Sequence, residues 1–209
     1  MKLQVAIDRI KLDEAVALAN ELDGIADVIE FGTSLVKDYG FYAIAEEKIK
    51  LRRSLLLLDT KTNDEGFYEF KQGYATGADI LTVMGYASRS TLDNVYEVSQ
   101  RKRKKVLIDL MGLGKGDIAR IACYPDAIFN LHNSYDEKDN IELTAQVANF
   151  KNRFPEIANI AVAGKINLNV AQALSEQGLT NIVIVGSKII QDHDPVKMAK
   201  KFQEVLHDG

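Results

Sequence analysis

Leu55-Leu56-Leu57-Leu58-Asp59-Thr60-Lys61-Thr62-Asn63-Asp64 runs from a wholly apolar stretch straight into a dense cluster of charge. Four successive leucines show no alternation of polarity, so both faces of that strand must be covered. Parallel strands meet this demand, with helices over one face and a packed interior against the other. Ile182-Val183-Ile184-Val185 has the same character. Outward from these two runs, candidate strands fall at 3–7, 27–31, 79–84, 105–109, 127–130 and 157–162, with the quoted pair at 54–58 and 181–185. Between them apolar residues recur at helical spacing, as in Ala15, Leu18, Ala19 and Leu22, or Val170, Ala171 and Leu174. Strand starts are about 20 to 30 residues apart, the length of one βα unit. Eight such units predict an α/β fold, a closed (β/α)₈ TIM barrel, over the rival open doubly wound sheet. No Pro/Gly/Ser-rich linker interrupts the pattern, so residues 1–209 are expected to form one domain. Pro195 after Asp194 suits a first helical position.

The 209 residues carry a net charge of −4, which gives no broad attraction for nucleic acid or acidic membranes. Apolar runs are far short of the roughly 20 residues of a membrane span, and no cleavable leader is read before Leu3. One cysteine, Cys123, excludes an intrachain disulfide and suits a reducing cytoplasm; with no base signature nearby it reads as inert packing. The basic run Arg101-Lys102-Arg103-Lys104-Lys105 falls between a helix and a strand, where cations suit the helix dipole. Gly112-Leu113-Gly114-Lys115-Gly116 lacks the spacing of a phosphate loop and reads as a flexible active-site loop. His193 and His207 read as surface residues.

In such barrels the chemistry lies at the carboxyl ends of the strands. Read in order, those ends carry Asp8, Glu30, Asp59 with Lys61 and Asp64, Met84-Gly85, Asp109, His132-Asn133, Gly164-Lys165 and Gly186-Ser187. Four carboxylates at one rim, offset locally by Lys61, are costly unless paired or bound to something. A divalent cation relieves that repulsion, and hard oxygen donors favour Mg²⁺. The plainer alternative is helix capping, an even contender for Asp109 and a poor one for Glu30, since Glu seldom caps. Asp59-x-Lys61-x-x-Asp64 is the sharpest motif. A lysine flanked by carboxylates stays protonated and positioned to stabilise a carbanion or enediolate. Its alternative is a salt-bridge network on the first turn of a helix.

These segments resemble the orotidine-monophosphate decarboxylase superfamily: Leu3 to Asp8, Ile29-Glu30-Phe31-Gly32-Thr33, Asp59 to Asp64, Gly77 to Val83, Val106 to Met111, Val162-Ala163-Gly164 and Ile184-Val185-Gly186. The branch most similar is 3-hexulose-6-phosphate synthase, with 3-keto-L-gulonate-6-phosphate decarboxylase as its sister. The resemblance implies that Glu30 and Asp59 bind Mg²⁺, that Lys61 helps stabilise a metal-held 1,2-enediolate, and that Asp8 contacts substrate hydroxyls. It implies His132 as acid–base residue. It further implies a homodimer with shared active sites, Asp64 reaching into the partner's. Phosphate would sit against Gly164 and Gly186, with the Lys165 ammonium or Ser187 hydroxyl able to bind it directly, and Asp109 belongs to the same substrate-facing rim.

Two departures bear on activity. The decarboxylase branch reads His-Arg-Ser-Arg-Asp where this chain has His132-Asn133-Ser134-Tyr135-Asp136, so Tyr135 stands in place of its second arginine. That favours the synthase, which makes no demand there, although Asn133-Ser134 match neither branch. Each phosphate-loop glycine pair has also lost its second member, giving Gly164-Lys165 and Gly186-Ser187. The expected activity is an aldol-type lyase joining formaldehyde to ribulose 5-phosphate, or the reverse. The alternatives are the sister decarboxylation and a non-catalytic sugar-phosphate-binding homologue.

Overall fold

The structure, a computed structural model, describes residues 1–133 and 142–207. Eight parallel strands, β1 (Lys2–Ile7), β2 (Val28–Phe31), β3 (Leu55–Thr62), β4 (Ile80–Met84), β5 (Lys105–Asp109), β6 (Ile128–His132), β7 (Ile160–Ala163) and β8 (Ile182–Val185), pair in sequence order. The barrel closes where β1 meets β8, with Leu3 opposite Val183 and Val5 opposite Val185. An open sheet is thereby excluded.

The helices form the outer ring: α1 (Leu12–Leu22), α2 (Thr33–Glu46), α3 (Gly66–Ala75), α4 (Arg89–Lys102), α5 (Lys115–Ile121), α6 (Leu143–Arg153), α7 (Leu168–Gln177), the short α8 (Ser187–Ile190) and α9 (Pro195–His207). Helix α1 buries Leu12, Ala15, Ala19 and Leu22, the apolar stripe read from its spacing, while Leu18 is half-buried at its edge. No described helix is long and apolar enough to cross a membrane.

Two apolar compartments result. The larger packs the outward faces of the strands, such as Leu56, Leu58, Leu81 and Val83, against the helices. A smaller plug of Val28, Leu57, Ile80, Leu107, Ile128, Ala161 and Ile182 fills the barrel's interior. The leucine run therefore splits by parity: Leu56 and Leu58 face the helices while Leu57 joins the plug. Each fully buried Leu or Ile contributes about 1.5–3 kcal/mol by leaving water. Both compartments must be filled, and this is why the strands show no polar face.

Three local expectations need correction. Strand β7 begins at Ile160, not 157, because Lys151 Nζ ties down the Pro155 and Ile157 carbonyls (3.1 and 2.7 Å) and holds them out of the sheet. Cys123 is exposed, not packed inside. The 112–116 glycines lead into α5 instead of forming an active-site loop: Asp117 Oδ2 accepts from the Gly114 N–H at 3.3 Å, and Leu113 packs on the core. The basic run behaves as read, with Arg101 and Lys102 ending α4 and Lys104 Nζ 2.5 Å from Asp79 Oδ1.

Candidate active site

Side chains on a strand alternate, so the residue two places beyond each plug residue also faces inward. From Val28, Leu57, Ile80, Leu107 and Ile128 that step leads to Glu30, Asp59, Thr82, Asp109 and Asn130. One layer up, the interior thus changes from hydrocarbon to carboxylate, hydroxyl and amide. All five line a cavity of about 920 Å³ that opens at the carboxyl ends of the strands.

Strand β3 supplies two functional groups because its regular pairing breaks there. Leu58 pairs with Leu81 but the next partners are Thr62 and Val83, so extra β3 residues bulge between them. Lys61 turns into the left-handed region (φ 44°) and donates its N–H to Thr82 Oγ1 at 2.8 Å; Thr60 Oγ1 donates to the Thr82 carbonyl at 2.6 Å. The bulge lets Asp59 and Lys61 both reach the cavity. The helix-turn alternative for this motif fails, since residues 59–62 belong to the strand.

Lys61 Nζ lies 3.1 Å from Asp59 Oδ2 and 2.9 Å from Asp109 Oδ2. Burial opposes its charge, but Asp59 and then Asp109 outweigh that, and the ammonium is held above its ordinary range. Asp109 Oδ2 also takes a 2.7 Å hydrogen bond from His132 Nδ1, and Oδ1 accepts from the Met111 N–H at 2.9 Å. Burial would raise Asp109, yet His132 and Lys61 prevail and lower it to about 2. Asp109 therefore caps no helix; it braces a lysine and a histidine and leaves His132 Nε2 as the ring nitrogen for other work. Asp59 is 7% exposed and is fixed by Thr82 Oγ1 at 2.6 Å and by Thr33 Oγ1.

Glu30 is equally buried and takes a 2.6 Å hydrogen bond from Gln4 Nε2. Burial first, and the Asp59 charge second, push its carboxyl up to about 8. A divalent cation is what such a repelling pair of hard oxygen donors fits. Among the described residues no group of three or more His, Cys, Asp or Glu is arranged to enclose a metal. Two carboxylates from adjacent strands nonetheless match the habit of Mg²⁺, which is held through one or two and takes its remaining oxygens from substrate and water.

Asp8 follows β1 and reaches across to α2, where its Oδ1 accepts from the Ser34 N–H (3.1 Å) and Oγ (2.5 Å). It satisfies one of the neighbouring helix's orphan N–H groups while lining the cavity. Gly32 makes this approach possible: a Cβ there would lie 2.0 Å from Asp8 Oδ2. Across the mouth, Gly164 (φ 110°) and Lys165 (φ 53°) turn left-handed in succession after β7, and Gly186-Ser187 enter α8 after β8. Lys165 thus keeps a glycine-like backbone course despite its side chain.

Ten of the eleven residues named from the sequence line this one cavity: Asp8, Glu30, Asp59, Lys61, Asp109, His132, Gly164, Lys165, Gly186 and Ser187. Asp64 does not; it is exposed, with Oδ1 accepting from the Glu65 N–H at 2.8 Å. Ser134, Tyr135 and Asp136 lie outside the described residues. Cavity residues that the sequence reading passed over include Gln4, Thr33, Ser34, Thr82 and Asn130. Polar residues inside the apolar runs 3–7, 79–84 and 127–130 were the available signal for three of them. Asn133, by contrast, exchanges amide hydrogen bonds with Gln146 (3.1 and 3.3 Å), fastening β6 to α6.

The chain is similar to known proteins over its whole length. The chain is 31% identical to the 3-hexulose-6-phosphate synthase of Bacillus subtilis, with both proteins covered in full, and 31% identical to that of Mycobacterium gastri, covering 99% of this chain and all of the other. A crystal structure of 3-hexulose-6-phosphate synthase superposes with a TM-score of 0.88 at 28% identity, over 99% of this chain and 100% of the other. The 3-keto-L-gulonate-6-phosphate decarboxylase of Vibrio cholerae, at 21% identity and a TM-score of 0.83 over 99% and 97%, shares the fold. The family model for orotidine 5'-phosphate decarboxylase / HUMPS matches residues 1–202, and the chain belongs to that family.

Proposed function

We propose that the protein is a Mg²⁺-dependent aldol-type lyase that joins formaldehyde to ribulose 5-phosphate, or cleaves the product, through a 1,2-enediolate. The observation that carries this reading is the chain Asp59–Lys61–Asp109–His132, in which one half-buried ammonium is shared by two carboxylates and the second of them orients an imidazole. Glu30 and Asp59 would hold Mg²⁺, which supplies Lewis-acid stabilisation of negative charge on substrate oxygens. Lys61 keeps a fixed positive charge beside the carbon chain where the enediolate forms. His132, its Nδ1 engaged by Asp109, offers Nε2 to take the C1 proton and to return one to the new alkoxide after C1 attacks formaldehyde. Asp8 would orient substrate hydroxyls, while the Gly164-Lys165 and Gly186-Ser187 turns would receive the phosphate. The left-handed course kept by Lys165 favours a working phosphate site over a lapsed one.

Asp64 belongs to this proposal as a residue serving the partner subunit's site in a homodimer. Its exposure, close to the exposed Phe67 and Tyr68 at the start of α3, supports that placement, since large exposed aromatics commonly mark contact surfaces.

The direct test supplies ribulose 5-phosphate, formaldehyde and Mg²⁺ and follows formaldehyde loss. The expected outcome is Mg²⁺-dependent consumption with one equivalent of hexulose 6-phosphate formed. No consumption, with CO₂ released instead from 3-keto-L-gulonate 6-phosphate, would transfer the protein to the decarboxylase reading. Binding of sugar phosphate that survives Lys61→Ala, without any turnover by the unmutated protein, would leave a binding homologue.

A further inference from the structure

The polar layer inside the barrel has one member with no task in the protein itself. Glu30 is bonded to Gln4, Asp59 to Thr33, Thr82 and Lys61, and Asp109 to Lys61, His132 and Met111. Asn130, at the same level on β6, has no hydrogen bond from its side chain to another described residue. It is 3% exposed, its Oδ1 is buried without a partner, and the residue lines the cavity. Leaving a buried amide acceptor unsatisfied is costly, and an apolar residue of similar size would avoid that cost. Such groups persist where a ligand or an ordered water bonds them.

The position says which ligand group this is. On one side Asn130 is in register with Asp109, and His132 stands two residues above it on the same strand face. On the other side it is in register with Ala161, and the next inward residue of β7 is Ala163, directly before Gly164-Lys165. Those alanines leave space over the amide. The β6 wall thus separates the acid–base pair from the turn assigned to phosphate.

We propose that the Asn130 amide is a specificity-determining contact for the carbon chain of a polyhydroxylated sugar phosphate. It hydrogen-bonds a hydroxyl on a carbon between the reacting end and the phosphate. This rests on the sugar-phosphate reading above and sharpens it, because it predicts discrimination against chains lacking that hydroxyl. A site built to bond a hydroxyl rejects the deoxy analogue strongly, since its own polar group is then stranded.

The experiment measures binding of ribulose 5-phosphate, its 3-deoxy and 4-deoxy analogues, and inorganic phosphate, by calorimetry with Mg²⁺ present. The unmutated protein is compared with Asn130→Leu and, should that variant fold poorly, Asn130→Ala. The expected result is a 10- to 100-fold loss of ribulose 5-phosphate affinity in the variant, with phosphate binding and melting temperature maintained. One deoxy analogue should bind the two proteins equally. Equal affinity of both proteins for ribulose 5-phosphate overturns the proposal and assigns the amide to water. Parallel loss of phosphate and sugar phosphate overturns it too, marking a structural role. Failure of the unmutated protein to bind ribulose 5-phosphate at all removes the sugar-phosphate reading itself, a result separable from the other two.

Discussion

The two halves of the barrel mouth are built on different principles. From β2 to β6 the rim is made of side chains: buried carboxylates with a half-buried ammonium and imidazole, cross-linked at 2.6 to 3.1 Å. From β7 to β8 it is made of backbone: two left-handed residues in succession after β7 and a glycine entry to α8. A side-chain network fails when one member is removed, because each buried charge depends on its partner. A backbone cradle depends on dihedral angles and accepts new side chains wherever the turn survives. On this account the backbone half can carry side chains such as those of Lys165 and Ser187, whereas exchanging Glu30, Asp59 or Lys61 strands a charged partner.

The most severe way to break the charged half is Asp59→Asn. It keeps the shape but removes the charge that faces Lys61 and would face Mg²⁺. Activity should fall on the order of 10³-fold or more, with Mg²⁺ binding lost by calorimetry and the circular dichroism spectrum unchanged. Full activity in this variant would end the metal assignment.

Asp109→Asn should be milder. The position stays polar, but His132 and Lys61 lose the charge that orients them, and kcat should fall roughly 10²-fold. This variant also has a signature in acid stability. Asp109 is lowered from its ordinary value to about 2, so its contribution is present above pH 4 and lost as pH falls from about 4 to 2. A shift of that size is worth about 2 kcal/mol. Acid unfolding curves of the variant should therefore lose part of their slope in that window, while an unchanged curve would show that Asp109 is not held as described.

What the sequence disclosed follows the same division. The carboxylates were legible because each stands at or near a strand's carboxyl end, and parity along a strand then carries Asp59 and Asp109 inward, from Leu57 and Leu107. The barrel was legible because strands covered on both faces cannot alternate. Gln4, Thr82 and Asn130 were hidden inside apolar runs, where only the closed interior tells which parity faces the cavity. The β3 bulge was hidden too, since it depends on Thr82 from the next strand receiving the Lys61 N–H. Glycine content misdirected the reading of 112–116, because composition does not reveal that those residues cap α5 and never reach the cavity. Cys123 was misread for a similar reason: a small apolar residue carries no sign of which way its turn faces.

The gentlest test addresses the backbone half. Gly164 has no freedom to change: at φ 110° an added Cβ would stand 2.6 Å from the Asn133 carbonyl oxygen. Lys165 differs, since φ 53° is a conformation that lysine occupies at a cost of roughly 1–2 kcal/mol and glycine occupies freely. Lys165→Gly should therefore relieve backbone strain and lose the ammonium at once. If the turn itself holds phosphate, the melting temperature should rise or stay level, KM for the sugar phosphate should grow only a few-fold, and kcat should hold. If the ammonium is the anchor, KM should grow by tens of fold, and the backbone account of this half of the rim would give way to one resting, like the other half, on side-chain charge.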